Sequence, residues 1–259
     1  MGLREIFRTA AALLSLIGIP ATAAVPTLYI TGDSTVNNHS KGLLGWGDPI
    51  ANYFDASRIH VENDARGGRS SRTFLTEGLW DSVLAKLQPG DFVVMQFGHN
   101  DGGALTDIRH RASLKGTGED TAEGPNDSGQ METVHSYGWY MRRFVDDTKA
   151  KHAVPIVLSP VPRNIWENGK VVRASRDYGK WAQEAAQREG AFFIDLNEIT
   201  ARKYEALGPD VVKAKYFGED HTHTTPAGAE VNAQSVVEGI RGLKDCALNN
   251  YLLQAAETR

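Results

Sequence analysis

The chain has 259 residues, 41% hydrophobic and 23% charged, with a formal net charge of −4. That mixture is long and apolar enough for one sizeable core, and with no basic stripe it excludes nucleic acid as a partner. Cys246 is the only cysteine, which excludes an internal disulfide framework and a cysteine-only zinc site.

The chain opens with leader-like residues. Arg4 and Arg8 form a positive region, residues 10–19 an apolar run, and Ala21-Thr22-Ala23 a small-residue site suited to signal peptidase. The run is short for a membrane span and Pro20 interrupts it, although a retained anchor is the competing reading. The expectation is a signal peptide over residues 1–23 and one domain over 24–259, exported to the periplasm or beyond. The mature protein is expected to be a monomer with no membrane attachment.

Residues 27–32, 59–63, 92–97, 154–159 and 191–195 are rich in Val, Ile, Leu, Phe and Tyr without clean alternation. They read as parallel strands covered on both faces. Helical patterns fall between and after them, over 48–54, 73–87, 137–151, 175–189, 198–207 and 226–243. The alternation predicts an α/β fold, a three-layer α/β/α sandwich around a five-stranded parallel sheet. Sites in such sheets lie at the C-terminal ends of the strands. Residues 102–135 break the rhythm: polar and glycine-containing, they read as either a functional lid or a disordered insertion.

Four motifs sit at strand ends or just before the last helix. Gly32-Asp33-Ser34-Thr35 follows the first strand and offers a hydroxyl at a turn, although most such turns are only turns. Arg66-Gly67-Gly68-Arg69-Ser70 follows the second, where glycine lets a backbone N–H approach a ligand; a plain tight turn explains it equally well. Gly98-His99-Asn100-Asp101 follows the third, and the Asn100 amide is placed either to donate to an oxyanion or to cap the next segment. Asp220-His221-Thr222-His223 precedes Pro226; an Asp three residues before a His can orient the imidazole as a base. Metal ligation by Asp220, His221 and His223 is the rival reading, and it lacks further convergent ligands. Taken together in this order, the motifs supply a nucleophile, two donors, an orienter and a base.

With those residues in view, the sequence resembles the SGNH hydrolases, or GDSL-type esterases. Ser34 stands in GDST, Gly68 in GGRS, Asn100 in GHND, and Asp220 with His223 in DHTH. NDARGGRSSRT, FGHNDGG, HSYGWY and above all DHTHTTPAGAE are similar to the rhamnogalacturonan acetylesterase branch of that family. Thr35 departs from the leucine common in the wider family, and the lone cysteine departs from the disulfides of fungal members.

The resemblance implies a flavodoxin-like fold and no metal or organic cofactor. It implies Ser34, Asp220 and His223 as catalytic residues and an oxyanion hole of Ser34, Gly68 and Asn100. The expected substrate is an acetylated polysaccharide or oligosaccharide, foremost the rhamnogalacturonan backbone of pectin. Xylan, or a lipase- or thioesterase-like acyl ester, stands as the alternative. His221 is expected to be structural. Arg69 and Arg72 are expected either to pair with galacturonate carboxylates or to brace the turn. Trp46, Trp139 and Trp166 are read as packing residues rather than sugar platforms.

Overall fold

The structure, a computed structural model, describes residues 24–254; the expected signal peptide over 1–23 lies outside the described residues. The uncharged run Thr27–Gly32 forms β1, followed by a 3-10 turn at Pro49–Tyr53 and β2 at His60–Asn63. Next come α1 (Ser71–Thr76), α2 (Leu79–Lys86) and β3 (Phe92–Gln96), then the pair β4 (Thr121–Pro125) and β5 (Met131–His135). Helix α3 (Tyr137–Ala150) leads to β6 (Val154–Leu158) and a small hairpin of β7 (Trp166–Glu167) and β8 (Lys170–Val171). The chain ends with α4 (Tyr178–Glu189), β9 (Phe192–Ile194), α5 (Leu196–Leu207), α6 (Pro209–Tyr216), α7 (Pro226–Gly242) and a 3-10 turn at Ala247–Tyr251.

Five strands make one parallel sheet in the order β2-β1-β3-β6-β9. This is the flavodoxin-like order, with the crevice for a ligand beyond the ends of β1 and β3. Side chains alternate across the sheet, so each face builds its own core. Leu28, Ile30, Phe92, Val94, Ile156 and Leu158 pack with Ala233, Val236 and Ile240 of α7. Tyr29, Val93, Met95 and Val157 pack on the other face with Phe74, Trp80, Phe144 and Ala182 from α1 to α4. The three layers follow from that alternation. Among the described residues, no helix is long and apolar enough to cross a membrane.

Several details differ from the sequence reading: α6 and the β7–β8 hairpin had no counterpart in it, and the helix expected over 48–54 is a 3-10 turn. Strand β2 lies at the sheet edge with His60 and Glu62 exposed, so it is not covered on both faces. The single helix expected over 73–87 is two, because Ser70 caps a start two residues earlier and Gly78 is a poor helix interior residue. Residues 121–135 form an ordered hairpin rather than structureless loop, its polar sequence reflecting strands whose outer positions face solvent. Buried Arg72 pins that hairpin: its Nε bonds Glu132 at 2.7 Å, Nη1 the Ala112 carbonyl at 3.0 Å and Nη2 the Pro125 carbonyl at 2.7 Å.

A second pin joins α1 to the end of β3. The fully buried Asp101 carboxylate accepts from the Ser71 backbone N–H at 3.1 Å, and from the hydroxyls of Ser71 and, at 3.2 Å, Ser113. Burial pushes this carboxyl up from its ordinary 3.8 to about 7, and the bonds from Ser71 and Ser113 only partly oppose that. The folded chain therefore holds a proton that the unfolded chain releases, and stability is lost as pH rises through about 7. Asp101→Asn is expected to flatten this slope: between about pH 5 and 8 the wild-type Tm falls relative to the variant. Parallel Tm–pH curves would contradict it.

Candidate active site

Strand β1 ends where the chain must turn in close quarters. A Cβ on Gly32 would meet Val36 Cγ2 at 2.5 Å and the Gln96 carbonyl oxygen at 2.6 Å, so only glycine fits. The Asp33 carbonyl then accepts from Val36 and Asn37, closing a helical turn with the half-buried Ser34 at its top. Beneath that turn lies a buried polar relay. Asp33 Oδ1 accepts from the Thr35 N–H and hydroxyl, both at 2.8 Å; Gln96 Nε2 donates to Thr35 Oγ1 at 2.6 Å; Trp46 Nε1 donates to Gln96 Oε1 at 3.0 Å. A leucine in place of Thr35 would have no hydroxyl to bond Asp33 and Gln96, which gives the departure at this position a physical basis. Trp46 is fully buried and cannot stack on a ligand.

The Ser34 hydroxyl lies 2.9 Å from His223 Nε2, and His223 Nδ1 lies 2.6 Å from Asp220 Oδ2. The other Asp220 oxygen accepts the backbone N–H of Thr222 at 2.6 Å and of His223 at 2.8 Å. Partial burial works to raise the Asp220 carboxyl, but the His223 ring and those two N–H groups outweigh it and hold it down at about 2. It stays ionised across the working pH range. Loop and turn are 189 residues apart in sequence and are held together by backbone. Leu44 N donates to the Thr224 carbonyl at 2.9 Å and the Thr224 hydroxyl donates back to the Leu44 carbonyl at 2.9 Å, while Trp46 N bonds the Thr35 carbonyl.

The second and third motifs close in from β2 and β3. Gly68 takes φ +80°, a left-handed conformation, in a turn where Arg69 N bonds the Arg66 carbonyl. A Cβ on Gly67 would lie 3.7 Å from Ser34 Cβ, so this turn borders the serine. Arg69 Nη1 donates to the Gly67 carbonyl at 3.3 Å, the far end of the peptide unit that carries the Gly68 N–H. Asn100 Nδ2 donates to the Arg69 carbonyl at 2.9 Å, which fixes the amide and leaves its second hydrogen for another acceptor. The structure thus gathers Ser34, Gly68, Asn100, Asp220 and His223 at one end of the sheet.

Other residues fall outside this cluster. The His221 side chain is exposed, and its carbonyl accepts from Asn164 N at 2.8 Å, a backbone tie consistent with a structural part. Both ring nitrogens of His223 are engaged, and among the described residues no three His, Cys, Asp or Glu side chains group as a metal set. Arg72 is spent on the hairpin and is closed to ligands. Trp139 stacks on His135 at 3.8 Å, and Trp166 donates to Asn164. Sequence reasoning missed Gln96 and the Leu44–Thr224 pairing. A polar residue closing the apolar run FVVMQ was the available signal for the first; the second had none.

Comparison with known proteins gives the family. Residues 30–231 match the GDSL-like lipase/acylhydrolase family. A rhamnogalacturonan acetylesterase of Emericella nidulans is 36% identical over 241 residues, 93% of this chain and 94% of that protein. The crystal structure of YxiM from Bacillus subtilis superposes with a TM-score of 0.67 at 27% identity over 84% of this chain, which spans only 56% of that one. An acetylxylan esterase from Geobacillus stearothermophilus shares the fold, with a TM-score of 0.60 at 18% identity, covering 85% of this chain and 95% of that one. The chain belongs to the GDSL-like lipase/acylhydrolase family and is a carboxylic ester hydrolase of the SGNH type.

Proposed function

We propose that this esterase removes O-acetyl groups from a plant cell-wall polysaccharide, foremost the rhamnogalacturonan backbone of pectin, with Ser34 as nucleophile. The observation that carries the mechanism is the hydrogen-bonded series Ser34–His223–Asp220 at 2.9 and 2.6 Å. The substrate class rests on the 36% identity to the Emericella enzyme over nearly the whole chain.

Ser34 Oγ attacks the acetyl carbonyl carbon while its proton passes to His223 Nε2, and ionised Asp220 holds the imidazolium that forms. The oxyanion is received by the N–H groups of Ser34 and Gly68 and the free hydrogen of the Asn100 amide. Collapse breaks the bond to the sugar oxygen, which leaves with the proton from His223. Water, deprotonated by the same imidazole, then releases acetate and restores Ser34. A lid role for residues 102–135 is not needed by this scheme.

Ser34→Ala is expected to abolish acetate release from 4-nitrophenyl acetate without lowering Tm; undiminished turnover would refute the nucleophile. Asn100→Ala should cost roughly 10²–10³ in kcat. Asp220→Asn should cost up to about 10⁴. Because Asp220 is half exposed and water can replace part of its orienting bond, a smaller loss than that ceiling is expected.

A lipase-like reading draws on one feature. A depression of about 240 Å³ beside His99 is lined partly by Pro160, Val161, Ile165, Val172 and Tyr178, apolar enough for a longer acyl chain. Arg163, Arg173 and Asp177 share its wall, which suits a hydrated ligand better. A panel of nitrophenyl esters and acetylated pectin, xylan and mannan separates the readings. Acetate and pectin are expected to be preferred; strong octanoate turnover would favour a lipase, and preference for xylan would change the glycan but keep the chemistry.

Export follows from Arg4, Arg8, the apolar run and Ala21-Thr22-Ala23. The secreted protein should have the mass of a chain starting at Ala24; a full-length mass would refute cleavage.

A further inference from the structure

A groove of about 530 Å³ opens beside the Gly68 turn, lined by Arg69, Arg109, His110 and Arg111 together with Glu77 and Asp127. The three guanidinium groups differ in what already satisfies them. Arg69 Nε bonds Glu77 at 2.8 Å, and Arg109 Nε bonds Asp107 at 3.1 Å. Arg111 makes no ion pair among the described residues; its one bond runs from Nη1 to the Gly68 carbonyl at 3.2 Å. It is half buried, and burial first, then the like charge of Arg109, weakens its hold on its proton. It therefore has no direct ion-pair partner among the described residues, although the more distant Asp107, Asp33 and Asp101 carboxylates partly offset its charge.

The position ties this cation to the reaction centre. Arg111 rests on Gly68, and the Gly67–Gly68 turn borders Ser34. Anchoring Nη1 fixes the plane of the guanidinium and leaves the Nε and Nη2 edge to donate, the fork geometry that matches a carboxylate. Glu77 already neutralises Arg69, which leaves Arg111 as the guanidinium in this groove with no direct ion-pair partner among the described residues.

We propose that this groove is a subsite for a uronate carboxylate, carried on a sugar next to the one whose ester reaches Ser34, with Arg111 as its principal partner and Arg109 flanking it. The proposal rests on the reading of Ser34 above for where the ester lies and on the pectin reading for the choice of glycan, and the ester and glycan panel tests that reading separately. It accounts for selectivity among acetylated glycans: a neutral chain leaves the Nε and Nη2 edge of Arg111 without a charged acceptor, whereas an acidic one supplies it.

The test is calorimetric titration of the Ser34→Ala chain with a deacetylated rhamnogalacturonan oligosaccharide and with the same fragment after its carboxyl groups are reduced to alcohols. Neither ligand carries an ester, so the readout does not depend on Ser34 chemistry, which acetate release tests separately. The acidic fragment is expected to bind roughly 10–100-fold more tightly than the reduced one, the range for one or two charge-assisted hydrogen bonds. That gap should shrink with added salt, close in Arg111→Gln and narrow in Arg109→Gln. Equal affinity for the two fragments, binding of neither, or a gap that survives Arg111→Gln would overturn the subsite. Should Arg111→Gln fail to fold, the comparison of the two fragments on the Arg111-containing chain and its salt dependence still decide.

Discussion

Everything in this molecule depends on β1 being flanked by two parallel partners, β2 and β3, whose connections leave to opposite sides. Where the order reverses, the chain ends diverge and leave a crevice that no helix can cover. The turns after β1, β2 and β3 empty into that crevice, which is why Ser34, Gly68 and Asn100 meet although they are far apart in sequence. The parallel register fixes their relative height: Ile30 lies opposite both Asn63 and Val94, so all three strands finish at nearly one level.

The polar layer under the serine turn completes what the sheet begins. Buried polar groups are tolerated only when bonded, and a bonded set resists rearrangement more than an apolar one because each member specifies the others. Asp33, Thr35, Gln96 and Trp46 form such a set between β1, β3 and the segment after the turn. The Leu44–Thr224 pairing extends it to the loop before α7. The imidazole of His223 thus sits on a half-exposed loop but is located by the core. Asp220 contributes by accepting three N–H groups at once, which orients the ring and fixes the loop's own backbone.

The sequence carried the sheet well, because strands buried in the interior are apolar runs with sharp ends. The expected first strand, 27–32, coincides with β1, and the third overshoots β3 by only one residue. Motifs at strand ends were legible for the same reason, since a turn that needs glycine or a capping group breaks the apolar pattern visibly. The hairpin β4–β5 was not legible: its exposed faces are polar, and the arginine that grips it comes from a helix far away in sequence. Arg72 itself shows the limit of composition. Arg69, in the turn before the Ser70 cap, borders the groove, while Arg72, inside α1, points into the interior. Arg109 and Arg111 were hidden in a segment with no periodicity to place them.

The clamp made by Arg72 divides the long insertion into parts with different freedom. It grips the chain at Ala112 and again at Pro125 and Glu132, while Ser113 is tied to the Asp101 carbonyl. Residues 102–111, which bear Arg109 and Arg111, are therefore a short span clipped at both ends, outside the network that locates Ser34 and His223. Such a span can be rewritten without loosening the sheet or the serine turn. Within one scaffold, the surface beside the site and the chemistry at Ser34 are then separately adjustable.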